Sequence, residues 1–129
     1  MSERTDHNIW TAIFVDDPQA LRAWLVDLGF DEGVLVPGDE PGIVHHSEML
    51  WPEGGRVMVA SRRTDGHDEG VGRAGVYVVT DQPDEVHARA RAAGATITRP
   101  LRDEQGYDSR GFSCLDPEGN HWSFGTYAG

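Results

Sequence analysis

Asp116-Pro117-Glu118-Gly119-Asn120-His121-Trp122-Ser123-Phe124 reads as a tight turn running into a short strand. Proline presets the first turn angle, and glycine followed by asparagine tolerates positive φ. Beyond the turn, Trp122 and Phe124 alternate with His121, Ser123 and Gly125, the period of a strand with two unlike faces. The phrase has a counterpart at an offset of 65 residues, Trp51-Pro52-Glu53-Gly54-Gly55-Arg56-Val57-Met58-Val59. The same offset, without a gap, aligns Asp16 with Asp81, Pro18 with Pro83, Ala23 with Ala88, Gly29 with Gly94 and Leu50 with Leu115. Most matched residues are turn and helix-end punctuation. The chain therefore reads as a duplicated supersecondary module rather than a solenoid.

Each half carries the order βαβββ. In the first, a strand over 8–15 leads to Asp16-Asp17-Pro18, a helix start with an aspartate able to cap it, Asp16 by its match to Asp81, and proline in its first turn. Leu21, Trp24, Leu25 and Leu28 fall at helical spacing, and Gly29 is a helix stop. Strands are expected over 30–36, 43–51 and 56–61. The second half repeats this with a strand over 74–80 and a helix over 81–93. Asp81 is that helix's expected cap, and its alanines (Ala88, Ala90, Ala92, Ala93) form a face for close packing. Strands over 95–99, 110–115 and 121–126 complete it, with a polar loop over 100–109. The expectation is a single α+β domain over 1–129, with module one over 8–61, a glycine-rich charged linker over 62–73 and module two over 74–127.

The 129 residues are 38% hydrophobic and 26% charged, enough to bury one core, and no apolar run is long enough to span a membrane. The net charge of −11 is the opposite of what phosphate neutralisation needs, so nucleic acid is excluded as a partner. It serves solubility, or draws a cationic ligand into an acidic cleft. Met1 to Asp6 shows no secretory pattern, and the single cysteine, Cys114, cannot form an internal disulfide, so a cytoplasmic setting is expected. Cys114 alternates with apolar neighbours and reads as core rather than nucleophile.

Two βαβββ modules closing on Asp-Pro-Glu-Gly-Asn-His-Trp-Ser-Phe resemble the glyoxalase/bleomycin resistance/extradiol dioxygenase superfamily, the vicinal oxygen chelate proteins. The resemblance runs from Ile9 to Tyr127. It implies two modules forming a concave sheet around a cleft, often with a divalent metal at its floor, and commonly a homodimer. It also implies four ligand positions, at the starts of the module-opening strands and the middles of the module-closing strands. Here these are Ile9, Ala74, Met58 and Ser123. None supplies the imidazole or carboxylate that such ions take, so no metal and no cofactor is expected.

Other groups remain as candidates. His46 and Glu48 share a strand face, whereas His45 points the other way. With His121, or His7, they are candidates for a displaced metal, and the pair could also move a proton. Arg110 could clamp a carboxylate or phosphate, or be tied up by one of the 22 acidic residues. Of four tryptophans, Trp24 and Trp122 read as core, while Trp10 and Trp51 could stack on a flat ligand. The expected ligand-binding residues are Ile9, Ile13, Trp51, Met58, Tyr107, Arg110 and Ser123. They point to a small-molecule binder that takes a cationic or aromatic ligand, as antibiotic-sequestering members of the superfamily do. The alternative is a metal-dependent lyase, isomerase or dioxygenase-type enzyme using His46, Glu48 and His121. A third reading is a structural or regulatory module whose cleft is filled by side chains.

Overall fold

The computed structural model describes residues 9–62 and 72–129. The elements are β1 (Thr11–Val15), α1 (Pro18–Leu28), β2 (Asp31–Pro37), β3 (Val44–Leu50), β4 (Arg56–Ser61), β5 (Gly75–Val79), α2 (Pro83–Ala92), β6 (Thr96–Asp103), β7 (Arg110–Leu115) and β8 (His121–Gly125). This is βαβββ twice. Most of the expected linker, and His7, lie outside the described residues. Each half builds its own four-stranded sheet, in the orders β1-β4-β3-β2 and β5-β8-β7-β6. Opening and closing strands run parallel, and the others antiparallel. The offset of the repeat is kept in the register: Thr11 pairs with Val57 as Val76 pairs with Trp122.

The two sheets share one core. Val57 and Val59 point into it from β4, and Trp122 and Phe124 from β8. Both helices lie on this inner side, contributing Leu21, Trp24, Leu25 and Leu28 from α1, and Val86 and Ala90 from α2. Aromatic rings cross between modules, with centroids 6.0 Å apart for Trp24–Trp122, 5.9 Å for Phe30–Trp122 and 6.0 Å for Trp51–Phe124. Burying these large rings is the main force joining the halves. Residues that alternate with the core, such as Met58 and Ser123, therefore face outward on two different sheets.

Each turn glutamate clamps the other module. Glu118 accepts from the amides of Asp16 and Asp17 at 2.8 and 2.7 Å. Glu53, its repeat partner, accepts from the Asp81 amide and the Thr80 hydroxyl at 2.8 and 2.7 Å. These clamps correct the expected caps. Asp17, not Asp16, caps α1 by accepting from the Ala20 amide, and Asp16 pairs with Arg62. Asp81 caps nothing; Gln82 is the N-cap of α2, with its amide donated to Thr80 Oγ1. Gly29, at φ +119°, ends α1 as expected.

Two further expectations change. The buried stripe of α2 is Pro83, Val86 and Ala90, while Ala88 and Ala92 are exposed. β6 runs on through Pro100 to Asp103, where a loop was expected. It is the outermost strand of its sheet and its register shifts on both sides of Arg99, the setting in which a strand tolerates proline. No described helix is long and apolar enough to cross a membrane.

Candidate functional site

The outer face of module one carries a charged cluster. The period-2 spacing in β3 puts His46 and Glu48 side by side, and His46 Nε2 lies 2.7 Å from Glu48 Oε2. Arg56, on β4, donates from Nη1 to Glu48 Oε1 at 2.9 Å, and its guanidinium lies 4.8 Å over the Trp10 ring. The His46 bond, then the Arg56 bond, hold the Glu48 carboxyl below its ordinary value of 4.5. Because the folded-state value is depressed, the stability Glu48 adds is present above pH 4.5 and lost as pH falls below it. Glu48→Gln is expected to cost about 1–2 kcal/mol at pH 7. In denaturant titrations the gap between wild type and variant should shrink as pH drops from 5 to 3.5. A gap that does not change with pH would refute the assignment.

The outer face of module two is a polar ladder ending in aromatics. Ser123 on β8 lies 2.7 Å from Ser113 on β7, hydroxyl to hydroxyl. Arg99 on β6 donates from Nε to Ser113 at 3.1 Å and from Nη1 to Glu104. Beyond it stand Tyr77, Tyr107 and Tyr127, around a cavity of about 180 Å³. A third region is a groove of about 640 Å³ between β1 and β5, with Phe30 and Trp51 in its lining beside Ile9, Val76 and Val78.

The expected site residues do not form one constellation. Ile9 is 92% exposed and lines the groove. Ile13 is 1% exposed and belongs to the core, because it sits on the inner face of β1. Trp51 is not an open stacking platform. It is 8% exposed, its ring lies against Phe30 and Phe124, and Nε1 donates to the Val79 carbonyl at 2.9 Å. Arg110 is held by Asp84 through two bonds, at 2.8 and 3.2 Å, with Asp103 at 3.4 Å. Those contacts raise the Arg110 pKa and lower that of Asp84. Tyr107 stands at the tyrosine cavity, and Met58 and Ser123 occupy the two outer faces. His121 lies on the sheet opposite His46 and Glu48. Cys114 is fully buried, and burial, then the Asp116 charge, push its thiol up to about 12, the state of an inert core residue. Sequence reasoning missed Arg99, Glu104, Tyr77 and Tyr127; the signal available was that all three tyrosines fall in one half of the chain.

The residues at the four inferred metal positions do not fit a divalent ion. They offer an exposed aliphatic, a thioether, a methyl and a hydroxyl already bonded to Ser113. Among the described residues, no group of three or more His, Cys, Asp or Glu side chains could hold a metal.

Comparison with known proteins agrees with the fold. The chain is 28% identical to the crystal structure of TioX from Micromonospora sp. ML1, covering 95% of this chain and 99% of that one, with a TM-score of 0.78. A lactoylglutathione lyase from Agrobacterium tumefaciens is 19% identical, covering 95% and 94%, with a TM-score of 0.66. The oxidase ChaP-H2 is 20% identical, covering 97% and 96%, with a TM-score of 0.67. At those identities the last two show a shared fold alone. No curated protein sequence matched. The family model described as Glyoxalase/Bleomycin resistance protein/Dioxygenase superfamily matches residues 9–124, and with two βαβββ modules in place the chain belongs to that superfamily.

Proposed function

We propose that this protein binds a small molecule, in the manner of antibiotic-sequestering proteins, as a cytoplasmic homodimer that uses no divalent metal. The donor set carries the reading. Of the four positions inferred for the superfamily's metal ligands, Met58 and Ser123 stand on the outer faces, Ile9 lines the groove and Ala74 packs against the core, and none is a histidine or carboxylate. The outer faces instead offer Trp10 and three tyrosines, groups suited to holding a ring. Within one chain Met58 and Ser123 face outward from opposite sheets. A cup uniting a module-one face with a module-two face thus needs a second copy. β1 and β5 support that pairing, since both are edge strands, with Ile9 and Val79 exposed along or beside them.

The alternative, a metal-dependent lyase, isomerase or dioxygenase, draws its support from the close His46–Glu48 contact. It would need His121 of one copy to meet that pair on another, and Glu48 is already engaged by Arg56.

Metal analysis, chelator melts, sedimentation and thermal shift test the proposal together. The expected results are sub-stoichiometric metal, no melting change with chelator, and a particle of twice the 14.2 kDa chain mass. Stabilisation by an aromatic or cationic compound from an antibiotic panel is also expected. A stoichiometric, tightly held metal would favour the enzyme. No stabilisation across the panel would remove the binding function.

A further inference from the structure

We infer that the outer face of module two carries a subsite for a planar aromatic group bearing a carboxylate or carbonyl oxygen, walled by Tyr77, Tyr107 and Tyr127 and addressed by Arg99. The inference rests on the binding function proposed above and specifies its ligand.

The chain has three tyrosines. One is on β5, one follows β6, and one follows β8, yet all three line the same cavity of about 180 Å³. A role in the core would bury them; they remain 47%, 54% and 47% exposed. They are nonetheless held in place. Tyr77 donates its phenol proton to the Tyr127 carbonyl at 2.7 Å, and burial raises that phenol above its ordinary value of 10, keeping it a donor. Tyr107 meets Tyr127 edge to face, with centroids 5.6 Å apart and planes at 85°. Gly125 keeps the space open, since a Cβ there would lie 3.1 Å from the Tyr77 hydroxyl. Fixed aromatic walls favour a flat ring because little entropy is lost when it binds. The volume suits one or two fused rings rather than a whole drug-sized molecule.

Arg99 sets the polarity. Ser113 holds its Nε and Glu104 its Nη1, which orients the guanidinium. Nη2 makes no hydrogen bond to a described residue, and the side chain is 28% exposed at the cavity. A pre-oriented guanidinium with a spare donor selects an oxygen acceptor. A cation fits less well, despite the net charge of −11. Among the described residues, the one carboxylate lining the cavity is Glu104, already shared by Arg99 and Arg102. Between an aromatic and a cationic ligand, the site favours the aromatic.

Fluorotyrosine-labelled protein should give three fluorine resonances, one for each tyrosine. Naphthoate is expected to shift all three. Its affinity should fall about fivefold or more in Tyr107→Leu, the size of one lost ring contact. Cyclohexanecarboxylate and naphthylmethylamine should bind more weakly than naphthoate by a similar factor. Arg99→Gln should abolish the preference for the acid over the amine. Tyr107 is exposed, so its variant keeps the fold, and the acid–amine comparison in the wild type tests the donor without any variant. An amine that binds as tightly as the acid would overturn the assignment. Naphthoate binding that Tyr107→Leu leaves unchanged would also overturn it. A panel compound that stabilises the protein while all three resonances stay still would remove this subsite and leave the binding function standing.

Discussion

Asp116→Ala is expected to destabilise the protein by about 3–5 kcal/mol, a large share of the roughly 5–15 kcal/mol that holds a domain of this size together. Asp116 is 6% exposed and accepts four hydrogen bonds. Oδ1 takes the amides of Glu118 and Asn120 at 2.8 and 3.0 Å. Oδ2 takes Asn120 Nδ2 and the indole N–H of Trp122, both at 3.0 Å. Alanine strands all four donors, and the indole N–H lies inside the core, where each unmet donor costs about 1–3 kcal/mol. Asn120 also accepts a bond: its Oδ1 takes the Ala74 amide at the entry to β5, so loosening the turn loosens the start of the neighbouring parallel strand. Asp116→Asn separates charge from shape. It keeps one acceptor but sets an N–H₂ among donors, and should still cost about 2 kcal/mol or more. Urea denaturation reads both. A loss below about 1 kcal/mol for alanine would show that water replaces the carboxylate, and the account of the turn would fail.

The repeat was legible because its marks are local. Pro117, Gly119 and Gly29 declare turn and helix end whatever lies around them. The helix caps were misread for the opposite reason. The amides of Asp16 and Asp17 are met by Glu118, which is 102 and 101 residues away, and no local pattern announces such a partner. Alternation in β1 and β4 separated two faces but did not say which one looked inward. Ile13 was therefore assigned to a cleft and lies in the core, while Met58 faces out. His46 and Glu48 were recoverable because two residues of one strand meet by period alone. The tyrosine cavity was not, since β5, the segment after β6 and the chain end converge only once the sheet has formed.

Trp51→Ala should cost about 3–5 kcal/mol, and it should act on the joint between the modules rather than on its own hairpin. Trp51 is the repeat partner of Asp116, and the two turns share their backbone bonds. Trp51 N donates to the Gly55 carbonyl and Asp116 N to the Asn120 carbonyl, both at 3.0 Å. Gly54 N and Gly119 N close back on residues 51 and 116, at 2.9 and 3.0 Å. The turn of module one therefore forms without a carboxylate, which frees its first position for a ring. That ring packs 4.8 Å from Phe30 in its own module and 6.0 Å from Phe124 in the other, and its N–H reaches the Val79 carbonyl on β5. Truncation opens a cavity on the seam and strands that carbonyl. Trp51→Phe keeps most of the ring contact and loses the hydrogen bond, so it should cost only about 1–2 kcal/mol. Trp51→Asp, which copies the module-two residue, should be as harmful as alanine. Gly55 stands where Asn120 would answer it, and Val57 stands where Trp122 would. Amide exchange checks the location: protection should fall first in β5 and α2, across the seam from the substitution. Loss confined to β3 and β4 would mean that Trp51 serves its own hairpin, and that the two modules are joined elsewhere.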